Sequence, residues 1–301
     1  MSAAPPPRFC AQCGKEAPPG GNFCPNCGAA LRAASPAPTA AAAVPNVDAM
    51  HGPCILLRTN AAPYNVGAVG KILGKALGKP LSDATRQLSA SRGVLAERIE
   101  AALARQILPE LKSLGVECLL VPLDKIIAFP EITCFREGRF TETGLKCEVV
   151  TWDGWQWVER SWSDVMLVSC TQLIAESSRR VDLGGGLIRR REKIVTEVTR
   201  RSLLDLFVRN PWCQIRLEEA LPGQDAARQS HPTHPLSYLR ALARQVLQIV
   251  PPVSVNDGVR LLATGAVGEF FSSVAFYNRR DLDQYNLWLL ELLDHGLPIP
   301  R

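Results

Sequence analysis

The chain has 301 residues, 47% of them hydrophobic, and a net charge of +5, a length that allows two or three domains. No apolar run approaches the length of a membrane span, and the first residues lack the pattern of a signal peptide. We therefore expect a cytoplasmic protein without a transmembrane segment, whose mild charge does not by itself require a nucleic-acid partner.

Two C-x-x-C pairs stand near the N-terminus, Cys10 with Cys13 and Cys24 with Cys27. Four thiolates can close a tetrahedral zinc site, and a closed site is structural because it leaves no position for a reacting water. The segment has too few apolar side chains for a hydrophobic core, so metal binding would supply its folding energy. The pattern predicts a zinc ribbon over residues 1–32 that holds one structural Zn²⁺. The alternative is a pair of disulfides, since C-x-x-C also serves redox chemistry.

Residues 9–28, with F-C-x-x-C-G followed by F-C-P-x-C-G, resemble the short zinc-ribbon family that opens many bacterial multidomain proteins. The resemblance implies a metal-binding module that is not an active centre. The ribbon is only weakly basic, with Arg8, Lys15 and Arg32 against one acid, Glu16. So small a positive charge is poorly suited to binding phosphates. Docking to a protein is therefore the favoured use of the ribbon.

The other six cysteines are scattered without metal-ligand spacing, each in an apolar, strand-like stretch. Free cysteines in such stretches behave as small buried hydrophobes, a usage typical of a reducing cytosol. They are Cys54, Cys118, Cys134, Cys147, Cys170 and Cys213.

A change of composition separates the ribbon from the rest of the chain. Residues 33–50 are rich in Ala and Pro, and such a stretch has little to bury. We expect a disordered linker that tethers the ribbon flexibly to the body.

Residues 51–124 have the pattern of a small α/β docking module, in which apolar runs alternate with helical spacing. The predicted elements are a strand at 54–58, a helix from Val66 that stops at Gly78, a short helix that Ser82 caps, a helix over 94–114 that Pro109 kinks or interrupts and Gly115 ends, and a strand at 116–121.

Part of this module, residues 71–121, resembles the C-terminal domain of the ribosomal stalk protein and its relative, the substrate adaptor of the Clp protease. The likeness lies in Ile72 and Leu73, in the LGKPLSDA of 77–84, in the GVL of 93–95 and in residues 111–118. Both families are small α/β protein-docking modules, so the resemblance implies docking. It assigns no site residue to this chain.

Residues 125–220 change to strand patterns. Strands at 145–152 and 155–162 flank Asp153-Gly154, a dipeptide typical of a two-residue hairpin turn. A series of antiparallel strands without βαβ spacing favours a small barrel or sandwich. The further strands are predicted at 164–175, 193–200, 203–208 and 212–217.

Residues 138–145 and 162–168 are similar to bacterial pleckstrin-homology-like domains. In that family a tryptophan-containing strand is followed by further hairpins, and a helix caps the barrel. The resemblance implies that a helix starting near Ser237 caps a barrel in this chain.

Residues 233–301 have helical patterns. An apolar stripe of Leu239, Leu242, Val246 and Ile249 indicates one helix with a core-facing side. Further helices are predicted at 259–264 and 282–293, the last of them ended by Gly296.

Two basic clusters flank the glycines at 184–186. If these glycines reverse the chain, the clusters meet at the end of a hairpin and form an anion site for a phosphate, an acidic partner, a lipid headgroup or nucleic acid. The competing interpretation is a solvated loop whose charges keep the protein soluble. The basic residues are Arg179, Arg180, Arg189, Arg190, Arg191 and Lys193.

Five tryptophans belong to the strand region. They could form an aromatic platform for bases or a peptide, but filling the core or the rim of a sheet is the favoured interpretation. They are Trp152, Trp155, Trp157, Trp162 and Trp212.

Catalytic patterns are few. His231 and His234 could hold a second metal only with a third ligand, and the sequence suggests none. His51 borders the linker, and His295 stands at a helix end, where a cation suits the helix dipole. The sequence has no nucleophile elbow, framed carboxylate pair or nucleotide fingerprint, so we do not expect an enzyme.

Together these features predict a multidomain α+β protein with a zinc ribbon, a flexible linker, an α/β module, a barrel-like or sandwich middle and a helical C-terminus. We expect a non-enzymatic adaptor or regulatory scaffold that binds a protein partner. The alternative is a nucleic-acid-binding regulator that uses the ribbon and the arginine hairpin together. A third possibility is attachment to anionic lipid through the hairpin.

Overall fold

The structure is a computed structural model that divides the chain into two compact units, Met1–Val44 and Pro45–Arg301. The described residues are 8–9, 16–17, 50–60, 62–151, 153–182, 192–220, 233–249, 253–265 and 274–300, with the backbone alone at 8–9, 16–17, 151, 177, 179–182 and 192–195. The predicted linker, apart from Met50, lies outside them.

The described part of the chain contains both helices and strands, as an α+β protein requires. The strands are β1 Arg8–Phe9, β2 Glu16–Ala17, β3 Pro53–Arg58, β4 Val94–Glu100, β5 Cys118–Pro122, β6 Ile132–Phe140, β7 Gly144–Thr151, β8 Gly154–Ser161, β9 Val165–Asp182, β10 Glu192–Val208, β11 Cys213–Glu219, β12 Thr233–His234 and β13 Ala275–Phe276. The helices are α1 Val66–Leu77, α2 Leu81–Ser91, α3 Ala101–Ser113, α4 Leu236–Val246, α5 Asp257–Thr264 and α6 Arg279–Asp294.

The α/β module is a three-stranded antiparallel sheet in the order β4-β3-β5, with α1, α2 and α3 packed on one face. The predicted strand at 54–58 and the predicted helix from Val66 are confirmed. Gly78 ends α1 with a φ of +64°, a left-handed conformation that costs glycine little.

Two predictions for this module are wrong. Residues 94–100 form β4 and not the start of a helix, because Val94, Leu95 and Ala96 are all buried in a strand covered on both faces. An unbroken apolar run of this kind does not distinguish a strand from a helix. The second helix begins at Leu81 after Pro80, so Ser82 lies inside the helix and does not cap it.

The remaining strands of the body form one open eight-stranded sheet. Its order is β13-β9-β10-β11-β6-β7-β8, and β12 pairs with β11 beside this path. The predicted barrel is therefore not closed. Helices cover both faces of the sheet, so the strands bury their side chains without curling the sheet onto itself.

Strand boundaries within this sheet also differ from the prediction. The segments 193–200 and 203–208 are one strand, β10, because Arg201 and Ser202 continue its pairing with β9. The strand β6 was not predicted. In the β7–β8 hairpin Thr151 pairs with Gly154, whereas a two-residue Asp153-Gly154 turn would pair residues 152 and 155. Gly154 is the first residue of β8 and has a φ of +102°, a backbone conformation that costs glycine little.

Two hydrophobic clusters lie on opposite faces of the large sheet. One face packs against α4 and α5, and the predicted stripe (Leu239, Leu242 and Val246 on α4, and Ile249 after its end) is buried there. The other face packs against α6 and against β3, β4 and β5 of the α/β module. The module, the sheet and the C-terminal helices of Pro45–Arg301 thus share one core.

A buried polar chain links the sheet to its helices. Arg216 on β11 donates to Asp205 on β10 through Nε (2.6 Å) and Nη2 (2.9 Å). Asn286 on α6 donates to Asp205 (3.4 Å) and accepts from Ser169 on β9 (2.7 Å). Asn256, the N-cap of α5, donates to Ser169 (3.0 Å). Because a buried polar group is costly when unpaired, this chain fixes how α5 and α6 sit on the sheet.

Candidate functional site

The described part of the N-terminal unit is one pair of short strands. Arg8 pairs with Ala17 and Phe9 with Glu16 across β1 and β2. All four predicted zinc ligands, Cys10, Cys13, Cys24 and Cys27, lie outside the described residues. In the sequence the first C-x-x-C pair stands between β1 and β2, and thiolates are preferred ligands of zinc.

Comparison with known families identifies the ribbon. The family model of the zinc-ribbon domain matches residues 9–31, so the N-terminal segment is a zinc ribbon. No curated protein and no solved structure matches the chain. The resemblances of residues 71–121 and of the β-rich middle therefore stay predictions.

The arginine hairpin is formed by the outer halves of β9 and β10. Antiparallel pairing continues to Asp182 opposite Glu192, with Arg179 opposite Val195 and Arg180 opposite Ile194. No other strand of the described chain pairs with this outer part, so it extends from the sheet as a two-stranded arm. Lys193 belongs to the arm, and Arg189, Arg190 and Arg191 lie outside the described residues. The meeting of the two basic clusters at one hairpin therefore stays a prediction.

The tryptophans separate into buried and exposed ones. Trp162 is buried and donates from Nε1 to the carbonyl of Thr141 (2.7 Å), and Trp212, half-buried, donates to the carbonyl of Ala128 (2.6 Å). Trp155 and Trp157 are 39% and 50% exposed. The preference for core or rim thus holds for the first two, while the last two are open to solvent.

The exposed Trp155 and Trp157 lie on one face of the β7–β8 hairpin. Val150 lies opposite Trp155 in the register, and these two with Trp157 make up three of the seven large hydrophobic side chains that the described residues expose. The Arg136 guanidinium lies 5.5 Å from the centre of the Trp155 ring, close enough for a cation–π contact. We call Val150, Trp155, Trp157 and Arg136 the aromatic face. An exposed apolar patch with arginine and tryptophan is typical of interaction surfaces.

A groove of about 650 Å³ adjoins this face. Its lining includes Trp157, Arg139, Lys146, His234 and Tyr238. Sequence reasoning missed Arg136 and Arg139 because β6, which carries them, was not predicted. Charged and apolar residues do not alternate over 135–140, so the local sequence carries no strand periodicity that would have found them.

The histidines and cysteines of the body have structural roles. His234 is buried, its ring stacks on Tyr238 at 5.2 Å, and desolvation lowers its pKa. His231 lies outside the described residues, and no cluster of three metal ligands occurs within them. The six body cysteines are free, half-buried or buried, in strands as predicted. Burial raises the pKa of Cys118 and Cys147 to about 12, which keeps these thiols protonated and poorly nucleophilic.

One titratable group was missed entirely. The Glu291 side chain is 1% exposed on α6, and its Oε1 accepts from the Ile127 amide at 2.6 Å. Burial, and to a lesser extent Asp294, raises the pKa of Glu291 to about 7. His295 Nε2 lies 3.8 Å from Oε2, which agrees with its predicted place at a helix end. Glu291 thereby ties the segment after β5 to α6.

The helices offer no membrane span. Among the described residues, none of them is both long and apolar enough to cross a bilayer.

Proposed function

We propose that this protein is a non-enzymatic adaptor or regulatory scaffold that binds a protein partner. The observation that carries the proposal is the aromatic face on the body, together with a separate metal-binding module at the N-terminus. Tryptophan and arginine are the residues that most often dominate the energy of protein interfaces. A zinc ribbon contributes a second, independently folded docking element. The free body cysteines support a place in the reducing cytoplasm.

The proposal is tested by comparing the partners of four forms of the full chain. These are the wild type, a ribbon variant with Cys10→Ser and Cys13→Ser, a face variant with Trp155→Ala and Trp157→Ala, and a control with Tyr277→Ala. Tyr277 is 69% exposed but lies outside the aromatic face. Proteins captured from bacterial cytosol by the wild type and the control, and lost with the ribbon or face variant, support the proposal. Identical capture by all four forms contradicts it, as does a turnover abolished by a single substitution in the body.

In the same proposal, the ribbon holds one structural zinc ion. Cys10, Cys13, Cys24 and Cys27 would supply four thiolates, which neutralise the ion and fill its tetrahedral shell. The bound ion supplies folding energy to a segment without a core. These residues present a fixed surface and perform no reaction.

A second candidate function is nucleic-acid binding through the arm of β9 and β10. A two-stranded β-ribbon fits the major groove of DNA, and residues 179–193 hold six basic and two acidic side chains. This +4 segment carries most of the net charge of +5 of the whole chain. Binding of a labelled duplex should weaken by orders of magnitude between about 50 and 200 mM salt. It should be lost with Arg189, Arg190 and Arg191 replaced by Ala, and salt-independent or absent binding contradicts this candidate.

A further inference from the structure

The β8 strand has an outer edge that pairs with no strand among the described residues. It pairs with β7 over its whole length, Gly154–Ser161, and is the last strand in the sheet order. An unpaired edge presents backbone N–H and C=O groups to other chains, and proteins usually protect it with proline, a bulge or charges. β8 contains no proline, its pairing with β7 is regular, and it exposes Trp155 and Trp157 beside this edge.

We propose that β8 pairs antiparallel with β8 of a second copy of this chain, centred on Trp157, so that the two aromatic faces join across the edge. In this register Trp157 lies opposite the partner's Trp157, and Glu159 lies opposite the partner's Trp155. Directly opposite residues share a face of a sheet and lie about 5 Å apart, within reach of aromatic side chains. The inference concerns self-association and does not rest on the proposed function.

Charge complementarity favours this register. Arg136 covers the Trp155 ring, so the partner's Glu159, opposite Trp155, meets a guanidinium. Glu159 is ionised for this contact, since a hydrogen bond from Lys146 at 2.8 Å lowers its pKa. Because the paired copies are related by two-fold symmetry, this contact between Glu159 and Arg136 occurs twice.

The surrounding face does not oppose self-association. Its cations and acids are equal in number, so two copies meet without net repulsion. They are Arg136, Arg139 and Lys146 against Glu137, Glu148 and Glu159. A register centred on Glu159 would instead place that carboxylate opposite its own copy, and like charges directly opposite are unfavourable.

Charge reversal in two separate chains tests the proposal. Glu159→Arg alone places like charges at both symmetric contacts, and Arg136→Glu alone does the same with the opposite sign. Mixing the two variants pairs opposite charges at both contacts. The wild type should sediment as a dimer in analytical ultracentrifugation of the full chain. Each variant alone should have a dissociation constant raised at least about tenfold, and the mixture should recover the dimer.

Two further variants separate loss of the interface from loss of the fold. Trp157→Ala removes the central side chain and should weaken the dimer by about 30-fold or more, whereas Tyr277→Ala, exposed elsewhere, should leave it unchanged. Unaltered circular dichroism confirms that each variant is folded. A wild type that is monomeric over the whole concentration series overturns the proposal and leaves the edge to a foreign strand. The proposal is also overturned by a dimer that survives both charge reversals, or by a mixture of the two variants that does not recover the dimer.

Discussion

Replacing Glu291 by Gln should make the protein less stable at pH 5 and more stable at pH 8. The carboxyl group is 1% exposed, and burial raises its pKa from 4.5 to about 7. The folded protein therefore holds this proton more tightly than the unfolded chain does. The contribution of the protonated carboxyl group to the free energy of unfolding is fully present below pH 4.5 and is lost as the pH rises from there through about 7.

The size of the effect follows from the interval between the two pKa values. At 1.36 kcal/mol per pKa unit, the wild type should lose about 2–3 kcal/mol of its free energy of unfolding between pH 5 and pH 8 through this group. The substituted glutamine side chain would keep an acceptor for the Ile127 amide and does not titrate. Its buried NH₂ group lacks a close partner, which costs about 1 kcal/mol at every pH.

Urea denaturation of the full chain at pH 5 and pH 8 measures both the pH-dependent loss of stability through Glu291 and the pH-independent cost of the buried glutamine NH₂ group. The difference between wild type and Glu291→Gln should change sign between these pH values. Glu142→Gln, at an exposed position, is the matched control. His295→Ala, combined with each form, removes the imidazole that lies 3.8 Å from Oε2, and the Glu291-dependent change should persist. An identical difference at pH 5 and pH 8 would refute the reasoning, because a glutamate that ionises freely in the folded protein has no linkage to lose.

The purified full chain should contain about one zinc ion, and Cys24→Ser should release it without changing the unfolding temperature of the body. Asp205→Ala removes the carboxylate that accepts from both Nε and Nη2 of buried Arg216 and should lower the free energy of unfolding by about 3–5 kcal/mol. Pairing Asp205→Leu with Arg216→Met should cost less. Gly258→Ala would place a methyl group 1.8 Å from the Cys170 carbonyl oxygen and should cost about 1–3 kcal/mol or more in the same assay. Burial raises the pKa of the Cys170 thiol, so a thiol reagent should label it only after denaturant unfolds the body.

Local patterns predicted the elements whose signals are local. The helix predicted at 259–264 lies within α5, and the predicted apolar stripe at 239–249 is a buried face, because both predictions depend on spacing within one helix. The same reasoning failed for β4, where burial on both faces removes the periodicity that separates strand from helix.

Of the candidate surfaces, too, one was predicted by a local sequence pattern and one was not. The zinc ribbon follows from ligand types at fixed spacing, which a sequence displays directly. The aromatic face does not, because Arg136 and Trp155 are brought together by the pairing of β6 with β7 and of β7 with β8. Sequence alternation indicated neither which strand ends the sheet nor which tryptophans stay exposed.

The amino-acid sequence by itself determined the metal-binding module, the separate body and most helices, since each depends on residues close together in the chain. Tertiary structure decided the open sheet, the shared core, the buried chain from Arg216 to Asn256, and the unpaired edge of β8. These features depend on pairing and burial between distant segments. The free energy of such contacts is set by which surfaces meet, and no local pattern records that.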